Sequence, residues 1–105
     1  MSIPFLHVAD LTAVLGNIPP DTIISRTLYA DERLKAILFG FAAGQELSEH
    51  TASRPAILHI LQGEADLTVG DARYSAGPHT WVFMQPHVPH SITARTPLMM
   101  LLLMA

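Results

Sequence analysis

The sequence predicts an all-β protein with a short N-terminal helix. After Pro20 the apolar residues no longer follow the spacing of an amphipathic helix. Short segments rich in Ile, Val, Leu, Thr and aromatic residues instead alternate with turn residues, which is typical of the strands of a sandwich or barrel. We predict strands at 22–30, 34–43, 56–62, 64–69, 72–75, 80–85, 90–95 and 97–104.

The first element is the predicted N-terminal helix. Asp10 can cap its first turn, and Gly16 and Asn17 with Pro19 and Pro20 end it. The apolar residues that would share one face of this helix are Leu11, Val14 and Leu15. We therefore divide the chain into an N-terminal arm at 1–21 and a β domain at 22–105.

Turn residues predict two hairpins within the β domain. Asp31, Glu32 and Arg33 separate the first two strands. Gly70 and Asp71 suit a two-residue turn in which the first position requires a positive φ. Both connections are short, so the strands that they join should pair in antiparallel fashion.

The strands differ in how their two faces are covered. Ala65, Leu67 and Val69 alternate with polar residues, so one face of this strand should contact water. The segments AILHIL and LMMLLLM show no alternation, which indicates that both of their faces are covered. A second subunit can provide that cover.

The composition favours self-association and argues against nucleic acid or an anionic membrane as a partner. Only 14% of the residues are charged, which is too few to coat a monomer, whereas 50% are hydrophobic. The net charge is −3, and Lys and Arg are scattered singly, so we expect no nucleic acid or membrane partner. With 105 residues, the chain should have one hydrophobic core. We expect a homodimer.

Compartment signals are few. The sequence contains no cysteine, which excludes disulfides and thiolate metal sites. The start MSIPFLHVAD lacks the features of a signal peptide, and the apolar run at 98–104 is far shorter than the about 20 residues that cross a bilayer. We expect a cytoplasmic protein.

One segment carries a motif. Between Gly44 and Gly63 the chain reads GQELSEHTASRPAILHILQG. It resembles the first signature of the cupin family, which places a glycine, two histidines, a glutamate and a second glycine in fixed order. Both glycines and the first histidine, His50, match, while Ala52 and Ala56 stand at the other two ligand positions.

A second segment resembles the second cupin signature from its histidine backwards. It reads GPHTWVFMQPHVPHSI and ends at Ile92. His90 takes the histidine position, and His87 stands where that signature has a glycine. Gln85 and Ala94 replace its proline and asparagine. Together the two segments extend the resemblance over roughly 22–104.

The resemblance implies a double-stranded β-helix, or jelly-roll barrel, in which His50 and His90 converge and bind a divalent transition metal (Zn, Ni, Mn or Fe). A useful site needs a third ligand. His59 is one candidate, although its odd offset from Ala56 turns it to the opposite face unless a bulge intervenes. If His59 is not the third ligand, His87 is the substitute candidate for that position. The alternative is that no cofactor binds.

A ligand pocket inside the barrel would be lined by apolar side chains. The register implied by the resemblance turns Val82 and Met84 inward, and Trp81 and Phe83 outward toward an interface. In the competing interpretation Trp81 lines the pocket. The residues that we assign to the pocket are Phe39, Phe41, Leu58, Ile60, Val82 and Met84.

Three functions fit these patterns, and the resemblance assigns no reaction. The first is a small cupin that binds a small organic ligand, with or without a metal at His50 and His90. The second is a metal-free ligand-binding or sensing module. The third is a metal-free acid-base enzyme of the isomerase type, with one of these histidines as the base.

Overall fold

The computed structural model describes residues 3–105 and confirms the all-β class. Within these residues the chain forms nine strands and one short 3-10 helix, Leu11–Ala13, and none of the described segments is a helix long and apolar enough to cross a membrane. In chain order the strands are β1 (Ile23–Ala30), β2 (Lys35–Phe41), β3 (Glu46–His50), β4 (Ala56–Gln62), β5 (Ala65–Val69), β6 (Ala72–Ala76), β7 (Trp81–Met84), β8 (His90–Ala94) and β9 (Leu98–Met104).

The strands form two antiparallel sheets. The larger has the order β1-β2-β9-β4-β7, and the smaller has the order β3-β8-β5-β6. Strands that are distant in the sequence are therefore neighbours, with β9 between β2 and β4 and β8 between β3 and β5. Within the described residues no strand pair joins the two sheets into one closed barrel, so the barrel prediction is correct at the level of two antiparallel sheets.

The hydrophobic core lies between the two sheets. Leu58 and Ile60 of β4, with Phe41 of β2, are 0–1% exposed on the larger sheet. Leu67 of β5 and Ile92 of β8 are 1% and 3% exposed on the smaller one. Along β4 these buried side chains alternate with less buried ones, as the two-residue period of a strand requires.

The N-terminal arm covers part of the outer face of the larger sheet. A Cβ atom on Gly40 would lie 2.9 Å from side-chain atoms of Leu15 and Ile18, so the arm packs directly onto β2 at this point. Leu38, which is two residues away on the same strand face, is fully buried. The arm therefore covers this face at β2.

The rest of the outer face is apolar and open. Trp81 is 57% exposed and Phe83 is 49% exposed, which confirms that both face outward, whereas Met84 is 3% exposed. On β4, His59 is the register partner of Trp81, and Ile57 is the register partner of Phe83. On β9, Leu101 pairs with His59 and Leu103 pairs with Ile57. We call these six residues the open outer face: Ile57, His59, Trp81, Phe83, Leu101 and Leu103.

Two sequence predictions differ from the structure. The N-terminal helix is only a 3-10 turn: Asp10 accepts a hydrogen bond from the Thr12 amide as expected, but the turn has no buried residue to stabilise a longer helix. Strand β3 was not predicted, because four of its five residues are exposed and only Leu47 is half-buried. The predicted turns are present, and Gly70 has φ 58°.

Candidate functional site

His50 and His90 lie side by side where β3 ends and β8 begins. Their Cα atoms are register partners in the antiparallel pair. The ring centroids are 4.2 Å apart, with an angle of 61° between the ring planes. The structure therefore brings together the two histidines that the motif spacing singles out.

Each of these imidazoles is fixed by a backbone carbonyl. His50 Nδ1 is 2.9 Å from the carbonyl oxygen of Ser48, and His90 Nδ1 is 3.0 Å from that of Val88. A carbonyl oxygen can only accept, so each Nδ1 carries the proton and donates. In the neutral ring the Nε2 atom then keeps its lone pair. The pair thus offers two Nε2 acceptors.

A small cavity lies against the two histidines. Its volume is about 40 Å³, a few times the about 10–15 Å³ that a cavity needs to hold one water molecule. His90 is 8% exposed, whereas His50 is exposed and marks the mouth. The lining residues are Phe39, Leu47, His50, Leu58, Leu67, His90, Ser91, Ile92, Met100 and Leu102.

The six residues that we assigned to a ligand pocket fall into two groups. Phe39 and Leu58 line the cavity. Phe41, Ile60 and Met84 are buried in the core cluster, and Val82 packs against that cluster. The role of all six residues in ligand binding stays a prediction. Only Phe39 and Leu58 line the cavity together with the paired histidines.

The two candidates for a third metal ligand lie away from the cavity. His59 has Trp81 and Leu101 as register partners and belongs to the open outer face. His87 is exposed in the loop before β8, where its backbone amide donates to the carbonyl of Ala52 over 2.7 Å. Neither residue lines the cavity. Their assignment as ligands stays a prediction.

Comparison with known proteins identifies the family. A family model of the cupin domain matches residues 37–104. The chain belongs to the cupin family. No curated protein sequence matches it.

Solved structures of other cupins and related proteins are similar to this cupin. A conserved protein of unknown function from Streptococcus pyogenes is 30% identical with a TM-score of 0.83, and the alignment covers 98% of this chain and 90% of that one. A cupin superfamily protein from Desulfitobacterium hafniense is 27% identical, with 84% and 81% coverage and a TM-score of 0.79. A variant of salicylate 1,2-dioxygenase from Pseudoaminobacter salicylatoxidans shares the fold alone, at 12% identity, 78% and 26% coverage and a TM-score of 0.72.

The metal set of the cupin family fits this cupin only in part. Ala52 and Ala56 stand at two of the ligand positions and carry no donor atom. Within residues 3–105 no group of three or more His, Asp and Glu side chains could hold an ion. The imidazoles of His50 and His90 are suitable ligands, but a stable site needs at least one further donor.

Met100 is one of the lining residues that the sequence patterns do not predict. It lies in the middle of β9, is 2% exposed, and has Phe39 and Ile60 as register partners. Within LMMLLLM nothing distinguishes one methionine from the next. Only the pairing of β9 with β2 and β4 shows which of them faces the histidines.

Proposed function

We propose that this cupin binds a small molecule at the mouth of the cavity, with the Nε2 atoms of His50 and His90 as its polar contacts. The observation that carries this proposal is that both Nδ1 atoms donate to backbone carbonyls. In the neutral pair the free nitrogens can then only accept a hydrogen bond. The ligand that suits them carries a hydroxyl or amine donor.

The cavity restricts the part of the ligand that enters. Pockets that enclose drug-sized molecules measure about 300–1000 Å³, far more than the about 40 Å³ found here. A group of one or two heavy atoms can enter between the apolar walls formed by residues such as Leu67 and Leu102. The remainder of the molecule lies outside, beside the exposed ring of His50.

NMR spectroscopy tests this proposal with pairs of small alcohols, phenols and amines and their analogues that lack the donor. We expect saturable shifts at His50, His90 and Leu47 for the donor-bearing member of a pair only. His50→Ala should remove these shifts. His59→Ala, which removes an imidazole from the open outer face, should leave them unchanged. Equal binding of the donor-free analogues would contradict the proposal.

A metal ion at the same two atoms is the second candidate. Histidines that bind metals usually donate their other ring N–H to a carbonyl or carboxylate, and both His50 and His90 have such a partner. The ion would supply a Lewis acid beside an apolar cavity. Titration of untagged protein with Zn²⁺, Ni²⁺, Mn²⁺ and Fe²⁺ tests this candidate, because His50→Ala should abolish any specific binding.

An acid-base isomerase without a metal has less support. Either histidine could act as the base, since imidazole titrates near neutral pH. However, no Asp, Glu or Tyr is among the described residues that line the cavity. The acid that should assist such a base is therefore missing from this set of residues.

We further propose that the open outer face is the interface of a homodimer. Two large aromatic side chains are exposed on this face, Trp81 at 57% and Phe83 at 49%. Exposed aromatic residues of this kind are enriched at protein interfaces. The open outer face contains no Asp, Glu, Lys or Arg, so two copies with a net charge of −3 can meet there without direct repulsion.

A further inference from the structure

The exposed apolar side chains gather on one side of the molecule. Among the described residues seven large hydrophobic side chains are exposed, and only Tyr74 belongs to the smaller sheet. The other six lie on the N-terminal arm or at the outer face of the larger sheet. Clusters of this kind mark interaction surfaces, whereas single exposed apolar residues are ordinary. The six residues are Ile3, Phe5, Leu6, Leu34, Trp81 and Phe83.

One row of register partners crosses all five strands of the larger sheet. It consists of Tyr29 on β1, Ala36 on β2, Leu103 on β9, Ile57 on β4 and Phe83 on β7. Residues of the arm line a groove of about 330 Å³ together with Tyr29 and Ala36. The other three members of the row belong to the open outer face. The arm therefore accompanies this row at one end and leaves the other end uncovered.

A second groove lies at the uncovered end of the row. Its volume is about 280 Å³, and its lining includes Leu34, Ile57, Phe83, Gln85 and Leu103. Leu34 lines both grooves, so the second groove continues from the one beside the arm. None of the side chains that line the second groove carries a charge. It thus offers an apolar segment the same kind of surface that the arm contacts in its own chain.

We propose that this second groove binds the N-terminal arm of a second copy of this cupin, with Phe5 as the side chain that enters it. The inference rests on the homodimer of the proposed function and adds the segment that each copy contributes. The arm at 3–8 contains no Asp, Glu, Lys or Arg, so it can enter an apolar groove without burying an unpaired carboxylate, ammonium or guanidinium. In a two-fold dimer both arms occupy both grooves at once.

Phe5 should be the anchor of this contact. It is 77% exposed, the largest value among the exposed hydrophobic residues, so most of its surface is available to a partner. Aromatic side chains that fill a pocket on the partner carry much of the binding energy of protein interfaces. Because the ring makes few contacts within its own chain, its removal should weaken association and leave the fold of each copy intact.

Sedimentation equilibrium of Phe5→Ala measures the contribution of this side chain. We expect the dimer dissociation constant to rise about 30-fold, the size that defines an interface hot spot. Tyr74→Ala is the matched control, because Tyr74 is also an exposed aromatic residue, at 53%, but belongs to the smaller sheet. Its dissociation constant should equal that of the wild-type protein. A thermal unfolding scan checks that both variants fold.

Disulfide cross-linking tests where the arm lies. The sequence contains no cysteine, so a bond can form only between introduced residues. His7→Cys and Gln85→Cys change exposed residues of the arm and of the groove and keep the apolar side chains of both. A mixture of the two single variants should yield a covalent dimer on oxidation, because a disulfide needs Cα atoms within about 7 Å. Each bond between different variants joins two chains. A mixture of His7→Cys with Tyr74→Cys should yield no such dimer.

Failure of the inference and failure of the dimer are distinguishable. If the wild-type protein is a dimer but His7→Cys and Gln85→Cys do not cross-link, the arm does not occupy the groove and only the inference fails. The same conclusion follows if Phe5→Ala dimerises as tightly as Tyr74→Ala. If the wild-type protein is a monomer at micromolar concentration, the proposed homodimer fails together with the inference.

Discussion

A Cβ atom on Gly63 would lie 2.1 Å from the carbonyl oxygen of Pro97. Gly63 also has φ 90°, a backbone conformation that other residues rarely adopt. This glycine is the second one of the first cupin motif, and it connects β4 to β5 immediately against the residue before β9. Both the close approach of the Pro97 backbone and the positive φ of the turn therefore require a glycine at position 63.

Replacing Gly63 with alanine should therefore be costly. Gly63→Ala combines a positive φ with a clash against backbone, and we expect it to lower the free energy of unfolding by about 3 kcal/mol. Gly44→Ala is the matched control, because Gly44 has φ 85° but no atom within 4 Å of its added Cβ. We expect Gly44→Ala to lower the free energy of unfolding by only about 1 kcal/mol. Urea unfolding measures both, and equal losses would contradict the role of Pro97.

The turn between β1 and β2 should make stability depend on pH. The Tyr29 hydroxyl donates to Asp31 over 2.6 Å, and the backbone amides of Arg33 and Leu34 donate to the same carboxylate. These hydrogen bonds lower the pKa of Asp31, and the one from Tyr29 has the largest effect. The hydrogen bond between the two side chains also raises the pKa of Tyr29. A carboxyl whose pKa is lower in the folded state adds stability above its unfolded pKa and loses it as the pH falls through the folded pKa.

We therefore expect the difference in unfolding free energy between the wild-type protein and Asp31→Asn to be present at neutral pH and to shrink on acidification below the usual carboxyl range. Tyr29→Phe, which removes one donor and keeps the two amides, should show a smaller difference of the same sign. Denaturant unfolding at a series of pH values provides the measurement. A difference that does not vary with pH would contradict this explanation.

The open outer face gives a prediction about assembly. Phe83→Lys should convert the dimer to a monomer in sedimentation equilibrium, because an unpaired ammonium group is costly to bury. Tyr74→Lys is the matched control, since Tyr74 is an aromatic residue of the smaller sheet with 53% exposure. Fluorescence of Trp81, the one tryptophan of the chain, should shift to shorter wavelength as concentration rises. A wild-type monomer at micromolar concentration would contradict the proposed interface.

The strands that could be predicted are those with an apolar face. β4 was predicted at its observed bounds, and β5, β7, β8 and β9 within one residue at each end, because burial of one or both faces leaves a pattern in the sequence. β3 leaves no such pattern, since Glu46, Ser48, Glu49 and His50 are all exposed. The motif spacing still located His50, because it does not depend on apolar alternation.

The N-terminal helix was predicted incorrectly for a tertiary reason. Asp10 provides the expected cap, and the turn ends at Ala13 with Val14 as its C-cap. The apolar residues that a longer helix would have placed on one face instead include Leu15, which packs with Ile18 onto β2 at Gly40. Contacts with the sheet thus outweigh the weak helical preference of a short segment.

Local patterns could predict only part of the candidate site. His50 and His90 follow from two motifs, and their proximity is what the family resemblance implies. Met100 does not follow from any motif, because its position depends on β9 lying between β2 and β4. Sheet order of this kind is a long-range property, and a uniformly apolar strand contains no local signal for it.

The state of the two imidazole rings is the most direct test of the site. Heteronuclear NMR of the ring nitrogens of His50 and His90 at a pH where both are neutral reports which nitrogen carries the proton. The hydrogen bonds to Ser48 and Val88 predict a protonated Nδ1 and an unprotonated Nε2 in both rings. A proton on Nε2 in both rings would contradict the central claim, because neither Nε2 atom could then accept a hydrogen bond from a ligand or bind an ion.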